Sequence, residues 1–118
     1  MGESFKELLV WQRAVQLTVA IYEFNSRFPS AERFGLTNQL RRASVFVASN
    51  IAEGYGRSST GEYVQFLGIA RGSNSEVQTQ LEIADRLNFG NAEERATAGG
   101  LADEVGRVLV SMVRKLKE

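Results

Sequence analysis

The chain has 118 residues, 43% of them hydrophobic and 24% charged, with no cysteine and no histidine. That length suits one ordinary domain with a core of its own, that balance belongs to neither a disordered tail nor a membrane protein, and the missing residues exclude disulfide, thiolate and imidazole chemistry. Fourteen basic and fourteen acidic side chains cancel to a pI near 6.3, without the basic excess from which dedicated nucleic-acid binders draw affinity.

The opening Met1-Gly2-Glu3-Ser4-Phe5-Lys6 has neither the basic start nor the apolar run of an export signal. Lys6 stands where a myristoylation signal has Ser or Thr. No stretch approaches the roughly 20 apolar residues of a membrane span, so a cytoplasmic location is expected. The first helix is predicted over about residues 8–27, with Trp11, Ala14, Val15, Thr18, Ile21, Tyr22 and Phe28 as its apolar stripe. Pro29 lacks an N–H and disfavours helix before it, which makes Ser30 to Gly35 a connection.

A second, shorter helix is predicted over about residues 36–54, burying Leu36, Leu40, Ala43, Val47, Asn50 and Ile51 and closing at Gly54-Tyr55-Gly56. Ser59 and Glu62 have the spacing of a capping box and open a third helix, predicted over about residues 60–88. Its inner face reads Tyr63, Phe66, Leu67, Ala70, Ser73, Asn74, Val77, Leu81, Ala84 and Leu87. After a stop at Asn88-Phe89-Gly90, Asn91 with Glu94 caps a fourth helix over about residues 92–116. It presents Leu101, Val105, Val108, Leu109, Met112 and Leu116, and ends in Arg114, Lys115 and Lys117, which complement the negative pole of its dipole. Four helices with short connections predict an all-α, antiparallel up-down four-helix bundle. Unequal helix lengths leave apolar surface uncovered within one chain, which favours self-association.

No catalytic residues, cofactor or metal are expected. Di-iron bundles use Glu-x-x-His pairs, zinc uses His or Cys, and both Ser-His-Asp and Cys-His nucleophiles need imidazole. The loop from Gly56 to Gly61 has the spacing of a phosphate-binding loop, but Glu62 and Tyr63 replace the required lysine and hydroxyl residue and no strand precedes it. Asn50, Ser73 and Asn74 lie on apolar stripes and need hydrogen-bond partners across the bundle or at an interface. Gly68 and Gly72 suggest close approach of a neighbouring helix. Antiparallel pairing predicts an Arg42–Glu76 ion pair between helices, with Glu53 and Arg57 paired one turn apart. Arg41, turned about 100° from Arg42, is the candidate for an external anion or subunit contact.

The net neutrality conceals an asymmetry. From Arg33 to Arg57 four arginines face one acid, whereas from Glu76 to Glu104 seven acids face two arginines. Such a dipolar surface suits head-to-tail self-association as well as RNA.

Three blocks of residues carry a family resemblance: Phe5-Lys6-Glu7-Leu8 with Val10-Trp11, Phe28-Pro29 and Glu32; Gln39-Leu40-Arg41-Arg42-Ala43 with Asn50-Ile51-Ala52-Glu53-Gly54-Tyr55-Gly56-Arg57; and Glu62, Phe66-Leu67, Ile69-Ala70-Arg71-Gly72-Ser73, Glu76 and Gln80-Leu81. Together they resemble the four-helix bundle proteins of the 23S rRNA intervening-sequence family, over nearly the whole chain and least after Asn88. The resemblance implies a left-handed up-down bundle assembled into a ring, commonly a pentamer. It also implies a bacterial origin, inside ribosomal RNA genes or at unrelated loci. The family is similar to the accessory variability determinant proteins of diversity-generating retroelements, pentameric bundles that bind reverse transcriptase and nucleic acid through a basic surface; this chain departs from them in being neutral overall. Two functions follow as expectations. One is an RNA-associated accessory ring displaying Arg33, Arg41, Arg57 and Arg71. The other is a protein–protein scaffold or adaptor ring that binds no nucleic acid.

Overall fold

The computed structural model of the protein describes residues 4–118, and the reading of Met1-Gly2-Glu3 as free of a targeting signal concerns residues outside these. Four helices follow in order: α1 (Leu9–Asn25), α2 (Leu36–Tyr55), α3 (Thr60–Arg86) and α4 (Ala92–Lys117), with short 3-10 turns at Phe5–Glu7 and Ser30–Glu32. The described residues contain no strand. At 17 residues α1, not the 20-residue α2, is the shortest of the four, because its chain leaves the helix three residues before Pro29.

Local chemistry accounts for the ends. The Ser59 hydroxyl accepts from the Glu62 amide at 3.1 Å and meets the Glu62 carboxylate at 3.4 Å, satisfying a donor that the first turn of α3 leaves unpaired. The Asn91 side chain does the same for Glu94 at 2.9 Å. At α2 the residue before the helix is Gly35, with no side chain to give; Glu32 reaches across the turn instead and accepts from the Leu36 amide at 3.1 Å. At the end of α3, Asn88 adopts a left-handed φ of 57°. The amides of Phe89 and Asn88 return to the carbonyls of Ala84 and Asp85, the double bond that closes a helix on a left-handed residue. Gly90 follows with φ 78°, and a Cβ there would stand 2.5 Å from the Phe24 ring.

Each helix packs against two others: α1 and α3 each contact α2 and α4. Helices α1 and α2 run in opposite directions, since Thr18 meets Ser44 while Asn25 meets Thr37, and so do α3 and α4, since Gln78 meets Asp103 while Asp85 meets Arg95. The molecule measures 45 × 24 × 22 Å. One buried cluster joins Leu17, Ile21, Phe24, Leu40, Val77 and Leu81 to the small Ala98 and Ala102 of α4. A second joins Val10, Val47, Ile51, Leu67, Val105 and Leu109. The rings of Phe24 and Phe28 meet edge-on at 5.0 Å, and Phe89 extends the stack.

Three expected stripes are corrected, that of α3 at its end, where Leu87 lies past the last helical residue and is 52% exposed. The buried face of α1 is Val10, Ala14, Leu17, Ile21 and Phe24; Trp11, Val15 and Thr18 are only half-buried and Tyr22 is exposed. Apolar residues cover so much of the circumference of α1 that periodicity did not single out the inner side. On α2, Asn50 lies outside the core and donates to the Phe46 carbonyl of its own helix at 2.8 Å. The buried polar position is Ser44, whose hydroxyl donates to Arg41 and whose carbonyl accepts from Thr18. Gly68 and Gly72 are corrected as well: among the described residues nothing lies within 4 Å of a Cβ built at either. The close approach occurs at Gly54, where a Cβ would fall 2.7 Å from the Cβ of Phe66.

Gly54→Ala is therefore expected to destabilise the bundle by about 1–3 kcal/mol, as overpacking does, read as a lower denaturation midpoint at unchanged slope. Burial, and secondarily the neighbouring Tyr55, push the pKa of the Tyr63 hydroxyl up. The native state thus holds that proton longer than the unfolded chain, so the contribution is intact below about pH 10 and is lost as pH rises above it. In an absorbance titration one of the three tyrosines is expected to ionise late, and Tyr63→Phe should remove that late component.

Candidate nucleic-acid interface

The four arginines singled out from the sequence do not converge. Arg33 stands where the α1–α2 connection enters α2, its guanidinium 5.3 Å from the ring of Phe34, which is itself 85% exposed. Arg41 is held within the fold. Its Nε donates to Asn25 Oδ1 at 2.8 Å and its guanidinium lies 4.3 Å from the Tyr22 ring. Asn25 is buried and donates in turn to the Thr37 carbonyl at 3.1 Å. The network satisfies a buried amide that would otherwise oppose folding. Arg57, at the opposite end of the bundle, pairs with Glu53 at 3.0 Å and lies over the Phe66 ring.

Arg42 and Glu76 do not form the expected ion pair. Arg42 lies 5.3 Å from the ring of Phe46, one turn along α2, and among the described residues neither it nor Glu76 has an ion-pair partner. Each stands one position from a buried residue, Ala43 and Val77, and is therefore turned about 100° away from it. The turn carries both side chains to outer faces of the bundle.

Arg71 belongs to a different constellation. Along the seam between α3 and α4 runs a groove of about 520 Å³ whose lining includes Arg71, Asn74, Gln78, Asp103, Arg107 and Arg114. Arg107 and Arg114 are seven residues apart, hence on one side of α4. Among the described residues none of these three arginines has an ion-pair partner. Asp103, at the other end of the groove, accepts from Gln78 at 3.0 Å. Farther along the same seam lie Glu82 and Asp85, the latter paired with Arg95 at 3.2 Å. The seam thus grades from basic near the end of α4 to acidic near its start.

Asn74 lies beneath the basic stretch, 1% exposed. Its Nδ2 donates across the seam to the Ala102 carbonyl at 2.9 Å, and its Oδ1 finds no partner among the described residues. Gly106 makes room for it, since a Cβ there would stand 3.2 Å from the amide nitrogen. Ser73 is buried beside it. Three free guanidinium groups in a concave, polar seam can bind phosphate bidentately. Arg107 and Arg114 were missed from the sequence. Their seven-residue spacing placed them on one face, but only the pairing of α3 with α4 brings Arg71 to them. Among the described residues no group of three or more acidic side chains could hold a metal ion, and no helix is long and apolar enough to cross a membrane.

Comparison with solved structures finds a protein of unknown function from the S23 ribosomal protein family of Bacteroides thetaiotaomicron. It superposes with a TM-score of 0.79, covering 89% of this chain and 98% of that one at 21% identity, a likeness of fold. No curated protein matches the sequence. The model of the family described as 23S rRNA-intervening sequence protein matches residues 6–111, which is nearly the whole chain, and this protein therefore belongs to that family.

Proposed function

We propose that the protein is a non-enzymatic, cytoplasmic, self-associating accessory protein that contacts RNA through the α3/α4 groove. The observation that carries the reading is the set of three arginines, Arg71, Arg107 and Arg114, lining one groove without an ion pair among the described residues. A guanidinium released from internal pairing is free to replace counterions at a phosphate, the largest source of protein–RNA affinity. The acidic end of the seam repels a backbone laid too far along it and so limits register. The left-handed twist and pentameric ring implied by the resemblance belong to the same proposal. A ring would repeat the groove and raise weak single contacts to useful avidity. Overall neutrality favours the alternative, a protein–protein scaffold ring that binds no nucleic acid.

The test is fluorescence anisotropy of a labelled stem-loop RNA against salt concentration. Binding should weaken steeply, and Arg107→Ala should flatten the logarithmic salt slope by about one for each groove engaged. Arg33→Ala, outside the groove, should leave it unchanged. Absence of binding at low salt overturns the RNA reading, and salt-insensitive recovery of one protein partner in the same preparation would establish the scaffold.

A further inference from the structure

Two outer faces of the bundle expose apolar or glycine-rich surface. The first is the α1/α2 face. The residues of α1 that do not point inward, Trp11, Val15 and Val19, border with Val45 and Ala48 of α2 a predominantly apolar groove of about 350 Å³. Val19 is 54% exposed, and Tyr22 and Phe46 beside it are 43% exposed.

The second is the outer face of α3. Gly61, Gly68 and Gly72 stand there with open space where a Cβ would go, on the same helix as Ile69 and Ile83, both more than 40% exposed. Glycine is the poorest helix former after proline, and no internal contact requires it at these positions. Exposed isoleucine in mid-helix is equally unexplained by the isolated chain. Glycine does allow another helix to approach closely, with the isoleucines covering what it brings.

Charge tells which surface fits this one. At the centre of the α3 face sits Glu76, without an ion-pair partner among the described residues; beside Val45 and Phe46 on α2 sits Arg42, equally without one.

We propose that the α1/α2 face of one copy receives the outer face of α3 from a second copy, with Arg42 of the one paired to Glu76 of the other. The inference rests on the self-association included in the functional reading above and names its surface. Because the two faces differ, every copy keeps one of each free after pairing, so the contact propagates and closes into a ring where the rotation permits. Phe46 and Val45 fill the space above Gly68 and Gly72, the apolar groove is shielded, and both unpaired charges find partners.

The experiment is light scattering on the full chain during gel filtration, with circular dichroism as the check on folding. The wild-type protein should elute as an oligomer of its 13.1 kDa chain. Arg42→Glu and Glu76→Arg each place like charges opposite one another and should weaken assembly by about 10- to 100-fold in dissociation constant. The two changes combined in one chain restore opposite charges at every contact and should restore the mass. Gly72→Leu fills the space reserved for the neighbour and should yield a folded monomer, its helix content intact because leucine favours helix. A monomeric wild-type protein overturns the self-association reading itself. An oligomer indifferent to the charge reversals and to Gly72→Leu overturns this interface while leaving self-association standing.

Discussion

Each helix of this protein carries a face that it cannot leave in water, and no single neighbour is broad enough to cover it. That constraint produces the architecture. A helix packed against two others loses most of its apolar stripe to them, and four such helices satisfy one another around a common axis. Small residues let the large ones in. Ala98 and Ala102 of α4 are fully buried where Leu17, Ile21 and Phe24 of α1 arrive, and Gly54 of α2 lies so close to Phe66 that a methyl group would collide. Removing a large buried side chain such as Leu17 would leave a cavity costing about 2–5 kcal/mol, a substantial part of what holds so small a domain folded.

Polar groups inside the bundle set the register that apolar packing alone leaves loose. Asn25 binds the Thr37 carbonyl and receives Arg41, Ser44 ties α2 to Thr18 of α1, and Asn74 ties α3 to the Ala102 carbonyl. Sliding a helix by one position would strand these groups without partners, each at a cost of about 1–3 kcal/mol. Arg41 shows how this limits function. Its charge is committed to a buried amide and an aromatic face, whereas Arg71, Arg107 and Arg114 remain available in a concave seam. Which arginines are free is settled by packing, not by their number.

Neutrality of the whole chain is compatible with strongly organised local charge. The α3/α4 seam changes sign along its length, and the outer faces of α2 and α3 offer opposite single charges, Arg42 and Glu76, amid apolar and glycine-rich surface. The proposed phosphate recognition would draw on the first arrangement and the proposed self-association on the second.

Several features were legible without the fold because they depend on residues close together in the chain. Apolar spacing announced four helices, the pair Ser59 and Glu62 opened α3, Asn91 with Glu94 opened α4, and Glu53 lay one turn from Arg57. Other features required side chains from distant segments to meet. Nothing local distinguishes Val10, Leu17 and Phe24 from Trp11, Val15 and Tyr22 as the inner face of α1, because both sets are apolar at helical spacing and only the positions of α2 and α4 choose between them. Asn50 turned back to its own helix, Arg42 and Glu76 parted to outer faces, and Gly68 and Gly72 found open space, since a small angular offset between helices redirects every side chain at their margins. The gathering of Arg71 with Arg107 and Arg114 belongs to the same class. Period and capping are properties of one helix, which the sequence alone determines, whereas the facing of two helices is decided only when their surfaces interlock.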